Sequence, residues 1–286
     1  MRLDRNAESA AHAAWLLEIG AGTNMDGDEK VEIPENMCCN PNTLEELIRM
    51  VYPNIQLQHI NNPNEYFLDR SILCCKNNDV DEINKRILEM MPGRAKVLNS
   101  ADSIDTSNEA QDGFQPYPME YLNSLNASGL PLLKLALKVG CPVMLLRNLD
   151  PSRGLCNGTR MIVREVKNRV IKCEIISGDR RFAGRIALIP RITLQPSAEN
   201  IPIPLKRRQF PLRLAFAMTI NKSQGQSVKI VGLNLQIEVF SHGQLYVALS
   251  RCTSGSRIKV LLPERHAERR RVPNIVYKEV LTGLHL

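Results

Sequence analysis

Two stretches of this 286-residue sequence share one pattern, a short apolar run that passes into a polar loop and then towards a helix, and that pattern restricts the fold more than any other feature. In the first, SILCC at 71–75 leads through Lys76 and Asn77 into NDVDEINKRILEMMPG, where Val80, Ile83, Ile87 and Met90 keep helical spacing until Pro92 and Gly93. In the second, LRLAFAMTI at 212–220 runs into NKSQGQS. VKIVGLNL then reads as a buried strand, SHGQLYVALSRC as a helix and SRIKVLLP as a last strand. Short strands apolar on both faces, alternating with helices, build a parallel sheet. The expected fold class is therefore α/β.

Between the two stretches the period changes. MIVREV, RVIKCEII with alternating Ile171, Cys173 and Ile175, and GRIALIPRITL are short β signals, with turns at Lys167-Asn168 and Ser177-Gly178-Asp179. A small curled antiparallel sheet, inserted into the parallel one, fits them. The first 68 residues carry helices instead. One covers 7–19, with Trp15 and Ile19 one turn apart and the glycines of IGAG ending it. The other is TLEELIRMVYP, where Thr43 and Glu46 make a capping box, Leu44, Leu47, Ile48 and Val51 fall on one face, and Pro53 ends the run. No convincing strand is visible there, so this segment is expected to be an arm without a closed core of its own.

The formal charge of +7 and pI near 9.0 favour a polyanionic partner. Basic residues gather at Lys206-Arg207-Arg208 and from Arg265 to Arg271, runs whose ordinary reading is a solvated face or a frayed tail. The eight cysteines include the pairs Cys38-Cys39 and Cys74-Cys75 but no C-x-x-C and no histidine at zinc-ligand spacing, so reduced, mostly buried thiols are expected and no metal site. Neither a signal peptide nor a run of ~20 apolar residues is present. The expectation is an intracellular protein without a membrane partner.

Parallel sheets bind ligands beyond the C-terminal ends of their strands, which directs attention to the loop after SILCC and the loop after FAMTI. The first supplies Lys76 and Asn77; the second supplies Thr219, Asn221, Lys222, Ser223, Gln224 and Gly225, a hydroxyl, cation, amide and glycine set that can contact phosphates. On residue chemistry alone such a loop also fits a plain solvated turn. In the helix after Ser241, Leu245, Ala248, Leu249 and Cys252 form the buried stripe and Arg251 lies off it. An arginine there either pairs with a surface carboxylate or stabilises charge on a transferring phosphoryl group.

Taken in order, YFLDRSILCCKNNDVDEIN, LKVGCPVMLLRNLDPSRGLCNGTR, AFAMTINKSQGQS and FSHGQLYVALSRCTS resemble the C-terminal half of the eukaryotic Pif/Helitron DNA helicases of superfamily one, relatives of RecD, from about Arg2 to Leu262. The resemblance implies a second RecA-like domain interrupted by a small SH3-like β insertion, preceded by an N-terminal helical arm. The implied boundaries are 1–68 for the arm, 69–118 and 206–263 for the two parts of the RecA-like domain, 119–205 for the accessory region, and 264–286 for a basic tail. It implies that Asn77 lies at the inter-domain cleft, that Thr219, Lys222, Ser223, Gln224 and Gly225 link single-stranded DNA to the nucleotide, that Arg251 is an arginine finger supported by Gln244 and Tyr246, and that Asn77, Asn157, Gly158 and Thr159 contact DNA, the last three along the path of the accessory domain.

The family's activity is ATP-dependent 5′–3′ unwinding with Mg²⁺ at single-strand/duplex junctions, in repair, recombination, telomere maintenance or Helitron transposition, with the nucleus or the mitochondrion as the setting. One departure is large. No glycine among the 286 residues is followed by lysine, so G-x-x-x-x-G-K-[ST] is absent, and no apolar strand ends in Asp-Glu. ATP and Mg²⁺ would then require a first RecA-like domain supplied by another chain or by a longer gene product, with residues 2–53 resembling its tail. A non-catalytic single-stranded DNA-binding module and a decayed mobile-element fragment are the other readings. Two smaller departures are Cys74-Cys75 in place of the family's usual pair, and the lack of a histidine near LPLLKLALK.

Overall fold

A computed structural model describes residues 7–57, 60, 62–104, 118, 121, 130–179, 181–196 and 205–281. Its contacts divide the chain into unit 1, Met1–Met90 with Phe216–Leu286, and unit 2, Met91–Ala215. In chain order unit 1 holds α1 (Ala7–Ala21), β1 (Lys30–Glu32), α2 (Leu44–Val51), α3 (Pro63–Leu68), β2 (Arg70–Cys74) and α4 (Asn77–Met90). After unit 2 it resumes with β13 (Ala217–Thr219), β14 (Ile230–Asn234), α5 (Gln244–Leu249), β15 (Ile258–Leu261), β16 (Arg271–Pro273) and α6 (Lys278–Leu281).

The centre of unit 1 is a parallel sheet in the order β13-β2-β14-β15. Ser71, Ile72, Leu73 and Cys74 of β2 are all buried, the unbroken run that a strand covered on both faces requires. Cys74 is in register with Thr219 on one side and Asn234 on the other, and Asn234 with Leu261, so the four strands end level.

Helix α2 buries Leu47, Ile48 and Val51. A Cβ on Gly232 of β14 would sit 2.6 Å from Val51 and 3.1 Å from Leu47, so the helix seats itself where the strand lacks a side chain. Its capping box is half made. Thr43 Oγ1 accepts from the Glu46 N–H at 3.3 Å, but the Glu46 carboxylate turns to Arg49 at 2.6 and 2.8 Å. On α4, Val80, Ile83 and Ile87 are buried as their spacing requires, while Met90 is 41% exposed. The buried stripe takes in Asn84 instead, whose Oδ1 accepts from the N–H groups of Phe216 (3.0 Å) and Ala217 (2.9 Å) and whose Nδ2 donates to the Ala217 carbonyl (3.1 Å).

The first 57 residues differ from the expected arm. Besides α2, β1 pairs antiparallel with β16, and the Cys39 N–H donates to the Val260 carbonyl at 2.9 Å. The Asn42 side chain continues that edge, donating to the Leu262 carbonyl and accepting from its N–H, both at 2.9 Å. Backbone left open at the edge of β15 is thereby satisfied. The basic run at 265–271 is folded against the same segment and its neighbours: Arg265 pairs with Glu238, Arg270 with Glu32 at 3.3 Å and Arg271 with Asp26 at 3.1 Å. α1 ends as its glycines require, with Gly22 at φ +67° and the Thr23 N–H donating to the Glu18 carbonyl at 3.0 Å.

Unit 2 is antiparallel throughout. β3 (Lys96–Asn99) pairs with β5 (Lys134–Leu137). β10 (Ile192–Leu194), β11 (Leu205–Gln209) and β4 (Ala101–Ile104) form a second sheet in that order. The third has the order β12-β6-β7-β8-β9, built from β6 (Pro142–Leu145), β7 (Arg160–Val166), β8 (Val170–Ile175), β9 (Ile186–Pro190) and β12 (Leu212–Leu214). Ile171, Cys173 and Ile175 are buried, in keeping with their alternation. YPMEYLNSLNASG, at 117–129, lies almost entirely outside the described residues.

Two stretches expected to be single strands are divided. GRIALIPRITL breaks at Arg191 into β9 and β10 of different sheets, and LRLAFAMTI breaks at Ala215 and Phe216 into β12 of unit 2 and β13 of unit 1. Lys206-Arg207-Arg208 is not a solvated patch either. It lies in β11, where strand alternation exposes Arg208 and turns Arg207 inwards onto Asp102 at 2.7 Å, both side chains 1% exposed. Cys39, Cys74, Cys75, Cys141, Cys173 and Cys252 are buried free thiols, and burial pushes Cys39 and Cys75 up to about 12.

Two stability predictions follow from this packing. Gly232→Val overpacks the α2 contact and is expected to cost roughly 1–3 kcal/mol, read as a lower urea midpoint at unchanged m. Asp102→Ala strands the buried Arg207 cation and is expected to cost more, about 3–5 kcal/mol by the same measurement.

Candidate functional site

Because β2 and β13 are neighbours ending level, the loops that leave them start side by side. After Thr219 the chain tightens into a 3₁₀ turn, Ile220–Ser223, with Ile220 and Ser223 buried and Asn221 and Lys222 exposed. The Ser223 hydroxyl closes it by donating to the Ile220 carbonyl at 2.6 Å, and the Gln226 N–H reaches back to the Ser223 carbonyl at 3.0 Å. Between them Gly225 takes φ +76°, a left-handed conformation that suits glycine, and Gln224 is exposed.

Arg251, just after the Ser250 cap of α5, fastens onto this loop. Its Nε donates to the Val247 carbonyl at 2.9 Å, one Nη to the carbonyls of Ser223 and Gln226, both at 3.3 Å, and the other Nη to Ser250 Oγ at 2.9 Å. The backbones are joined as well, since the Val228 N–H donates to the Arg251 carbonyl at 3.2 Å. The guanidinium is half-buried, and burial pulls its pKa below the usual arginine value. Among the described residues no carboxylate forms an ion pair with it. A cation held by neutral carbonyls in a partly desolvated setting retains its charge for an incoming anion.

The other expected residues fall into three groups. Gln244 is buried and its Oε1 accepts from the Phe240 N–H at 2.9 Å, bracing the chain before α5, while the Tyr246 ring lies against Gly20 of α1, where a Cβ would come within 3.1 Å. Asn77 is exposed at the first position of α4, in the loop beside the Thr219 loop. Asn157, Gly158 and Thr159 belong to unit 2. There Gly158 has φ +90°, Asn157 is exposed, and the buried Thr159 hydroxyl is used inside its own turn, donating to the Gly154 carbonyl at 2.9 Å and accepting from the Cys156 N–H at 3.2 Å.

Two residues near these loops escape the sequence reading. Asn84 anchors the start of β13, and a polar residue on a helical apolar stripe is the signal for it. Asp79, in the first turn of α4 near Lys76, has a carboxyl that burial pushes above the usual range, and no short motif marks it. Among the described residues no cluster of His, Cys, Asp or Glu could hold a metal ion, and no helix is long and apolar enough to cross a membrane.

Comparison with known proteins places this geometry in context. A family model described as the 2B domain of DNA helicase Pif1 matches residues 120–166. The ATP-dependent DNA helicase PIF1 of Homo sapiens is 35% identical over 192 residues, covering 66% of this chain and 26% of the human protein. The Xenopus laevis PIF1 is 33% identical over 189 residues, covering 66% and 27%. The chain thus spans about a quarter of the length of these curated relatives. Among solved structures, Pif1 helicase from Candida albicans matches with a TM-score of 0.60 at 24% identity, covering 96% of this chain and 56% of that one. A Bacteroides Pif1 helicase in complex with ADP-AlF3 and ssDNA matches with a TM-score of 0.52 at 22% identity, covering 95% and 57%. These structural likenesses establish the mixed α/β fold with its parallel sheet.

Arg251→Lys removes the fork that reaches three carbonyls. Hydrogen bonds from a charged donor contribute about 1.5–3 kcal/mol, so amide exchange over residues 223–228 is expected to quicken at least roughly tenfold, with the β2 amides unchanged.

Proposed function

We propose that this chain, related to the Pif1 DNA helicases by sequence over 66% of its length, forms one wall of the nucleotide cleft of a DNA motor and couples that wall to single-stranded DNA. The observation that supports this most directly is the state of Arg251, a half-buried cation with no carboxylate partner among the described residues, tied to the Ser223 and Gln226 carbonyls. A guanidinium in that position acts as an arginine finger when a γ-phosphoryl group arrives, its charge offsetting the charge that spreads over the equatorial oxygens in transfer. Since the same side chain holds the 219–226 loop, its movement towards phosphate loosens or re-aims Thr219, Lys222 and Gln224, the residues assigned to the DNA strand.

Gln244 and Tyr246 position α5, and Asn77 lines the neighbouring loop. In unit 2 the assigned DNA contact is the Asn157 side chain with the exposed turn at Gly158, while Thr159 holds that turn. These residues offer no carboxylate set for Mg²⁺, so the metal-holding acid and the lysine that cradles the β- and γ-phosphates are assigned to a P-loop domain, in another part of a longer protein or in another chain. The proposed activity is 5′–3′ unwinding at single-strand/duplex junctions in nuclear or mitochondrial DNA maintenance. The missing G-x-x-x-x-G-K-[ST] favours a second reading, a module that binds single-stranded DNA without turnover.

ATP hydrolysis separates the two readings. The 286 residues alone are expected to give no DNA-stimulated turnover. Mixed with a P-loop domain from a Pif1 relative they are expected to give it, and Arg251→Ala is expected to lower it by about 10³- to 10⁵-fold. Near-normal turnover without Arg251 would overturn the finger assignment. No turnover in any mixture, with oligonucleotide binding intact, would leave the binding module.

A further inference from the structure

Unit 2 carries a concentration of positive charge that the nucleotide wall does not use. A groove of about 740 Å³ is lined by Asn99, Ala101, Asn168, Arg169, Pro190, Arg191 and Arg208. Among the described residues it contains three arginines and no acidic residue. Several other arginines of the unit have carboxylate partners, such as Arg164 with Glu174 at 2.8 Å, Arg181 with Asp179 at 2.6 Å and Arg207 with Asp102 at 2.7 Å, while Arg147 and Arg185, outside the groove, have none among the described residues. Among the described residues none of the three groove arginines forms such a pair.

The fold explains why they converge. Arg169 lies in the turn between β7 and β8. The neighbouring Val170 is in register with Pro190 of β9, which brings the turn to the corner where the chain leaves that sheet. Arg191 is the corner residue itself, between β9 and β10. Arg208 is opposite Thr193 and Ala101 on β11, on the exposed face left by turning Arg207 inwards. Arg191 is fixed in place: its Nε donates to the Asn168 carbonyl at 3.0 Å, one Nη to the Asn99 carbonyl at 2.7 Å and to Gln209 Oε1 at 3.0 Å, and the guanidinium lies 4.6 Å from the centre of the Phe210 ring. Burial and the neighbouring Arg208 charge both pull its pKa down, the mark of cations held close without a counter-ion.

We propose that this groove is a binding site for the sugar-phosphate backbone of a single-stranded nucleic acid, separate from the 219–226 loop, with Arg191 as the fixed contact and the exposed Arg169 and Arg208 as the other two. Planar guanidinium forks match phosphate oxygens, and the amides of Asn99 and Asn168 supply donors at the groove wall. An acidic peptide is the weaker fit, because peptide affinity rests on buried apolar anchors and the apolar side chains among these seven are only the small, exposed Ala101 and the exposed Pro190. The choice of a nucleic acid rests on the DNA reading above; the existence of an anion site does not.

The test is fluorescence anisotropy of a labelled twelve-nucleotide oligo-dT against the 286-residue chain over a range of salt concentrations. Arg191 is left intact because its backbone contacts hold the corner. Arg169→Ala/Arg208→Ala is expected to weaken binding roughly tenfold at low salt and to reduce the slope of log K against log salt by about 1.4, two phosphate contacts at ~0.7 each on a single strand. Arg49→Ala/Arg181→Ala, which removes the same charge from exposed arginines already paired with Glu46 and Asp179, is expected to leave both quantities unchanged. A groove variant that matches the wild type, or a control variant that falls equally, overturns the inference while the DNA reading stands. Wild-type protein that binds no oligo-dT at low salt overturns the groove assignment and the DNA reading together, whereas release of the oligonucleotide to poly-glutamate of equal charge overturns the nucleic-acid ligand.

Discussion

Strand β2 is paired on both sides and covered on both faces, and the candidate site follows from where that strand stops. Cys74 is level with Thr219 and Asn234, so the polar loops after β2, β13 and β14 begin at a common edge. A one-residue slip of β13 would turn Thr219 to the opposite face of the sheet and the 3₁₀ turn with it. The register is pinned from outside the sheet by the Asn84 side chain, which takes up two N–H groups and one carbonyl at the first residues of β13. Tyr52 adds a second pin, its hydroxyl donating to the Phe216 carbonyl at 2.6 Å. Short strands gain little from their own ladder, and β13 has only three residues. These side-chain bonds hold it where the loop needs it.

Arg251 converts that placement into a mechanical link. The α5 stripe of Leu245, Ala248, Leu249 and Cys252 is buried, which fixes the helix and leaves Arg251 beside the 3₁₀ turn. A guanidinium bonded to carbonyls is less tightly satisfied than one paired with a carboxylate, because each neutral acceptor supplies only a partial charge. The arrangement is stable enough to order the loop yet offers less than a phosphate would. On the function proposed above, exchange of one set of acceptors for the other would be an energetic step, and reciprocity of coupling would make the nucleotide and the loop's partner sense each other equally.

How much of this the sequence discloses depends on the range of the interaction. Helices α2 and α4 and the β7–β8 alternation are legible because burial on one face imposes a local period. The loop chemistry of Thr219 to Gly225 and the stripe around Arg251 are legible for the same reason, but their contact is not, since residues 223 and 251 meet only through tertiary packing. Asn84 reads as an interruption of an apolar face until its partners 132 and 133 positions away are known. LRLAFAMTI reads as one strand because periodicity carries no signal for a change of sheet at Ala215. The half-made capping box has the same origin, as Arg49 competes successfully for the Glu46 carboxylate.

Lys206-Arg207-Arg208 illustrates the point most sharply. In composition the three are one basic run, and a count of charge treats them alike. On β11 the two-residue period separates them into different physical roles: Arg207 enters the core, where Asp102 neutralises it and the Pro131 carbonyl accepts from it at 3.2 Å, and Arg208 stays outside with no acid partner among the described residues. The buried pair fixes the strand's facing, because reversing it would leave Asp102 unpaired inside and Arg207 in water, at a cost of several kcal/mol. The charge that the core satisfies thus determines where the unsatisfied charge is displayed, and in unit 2 that display falls beside Arg191.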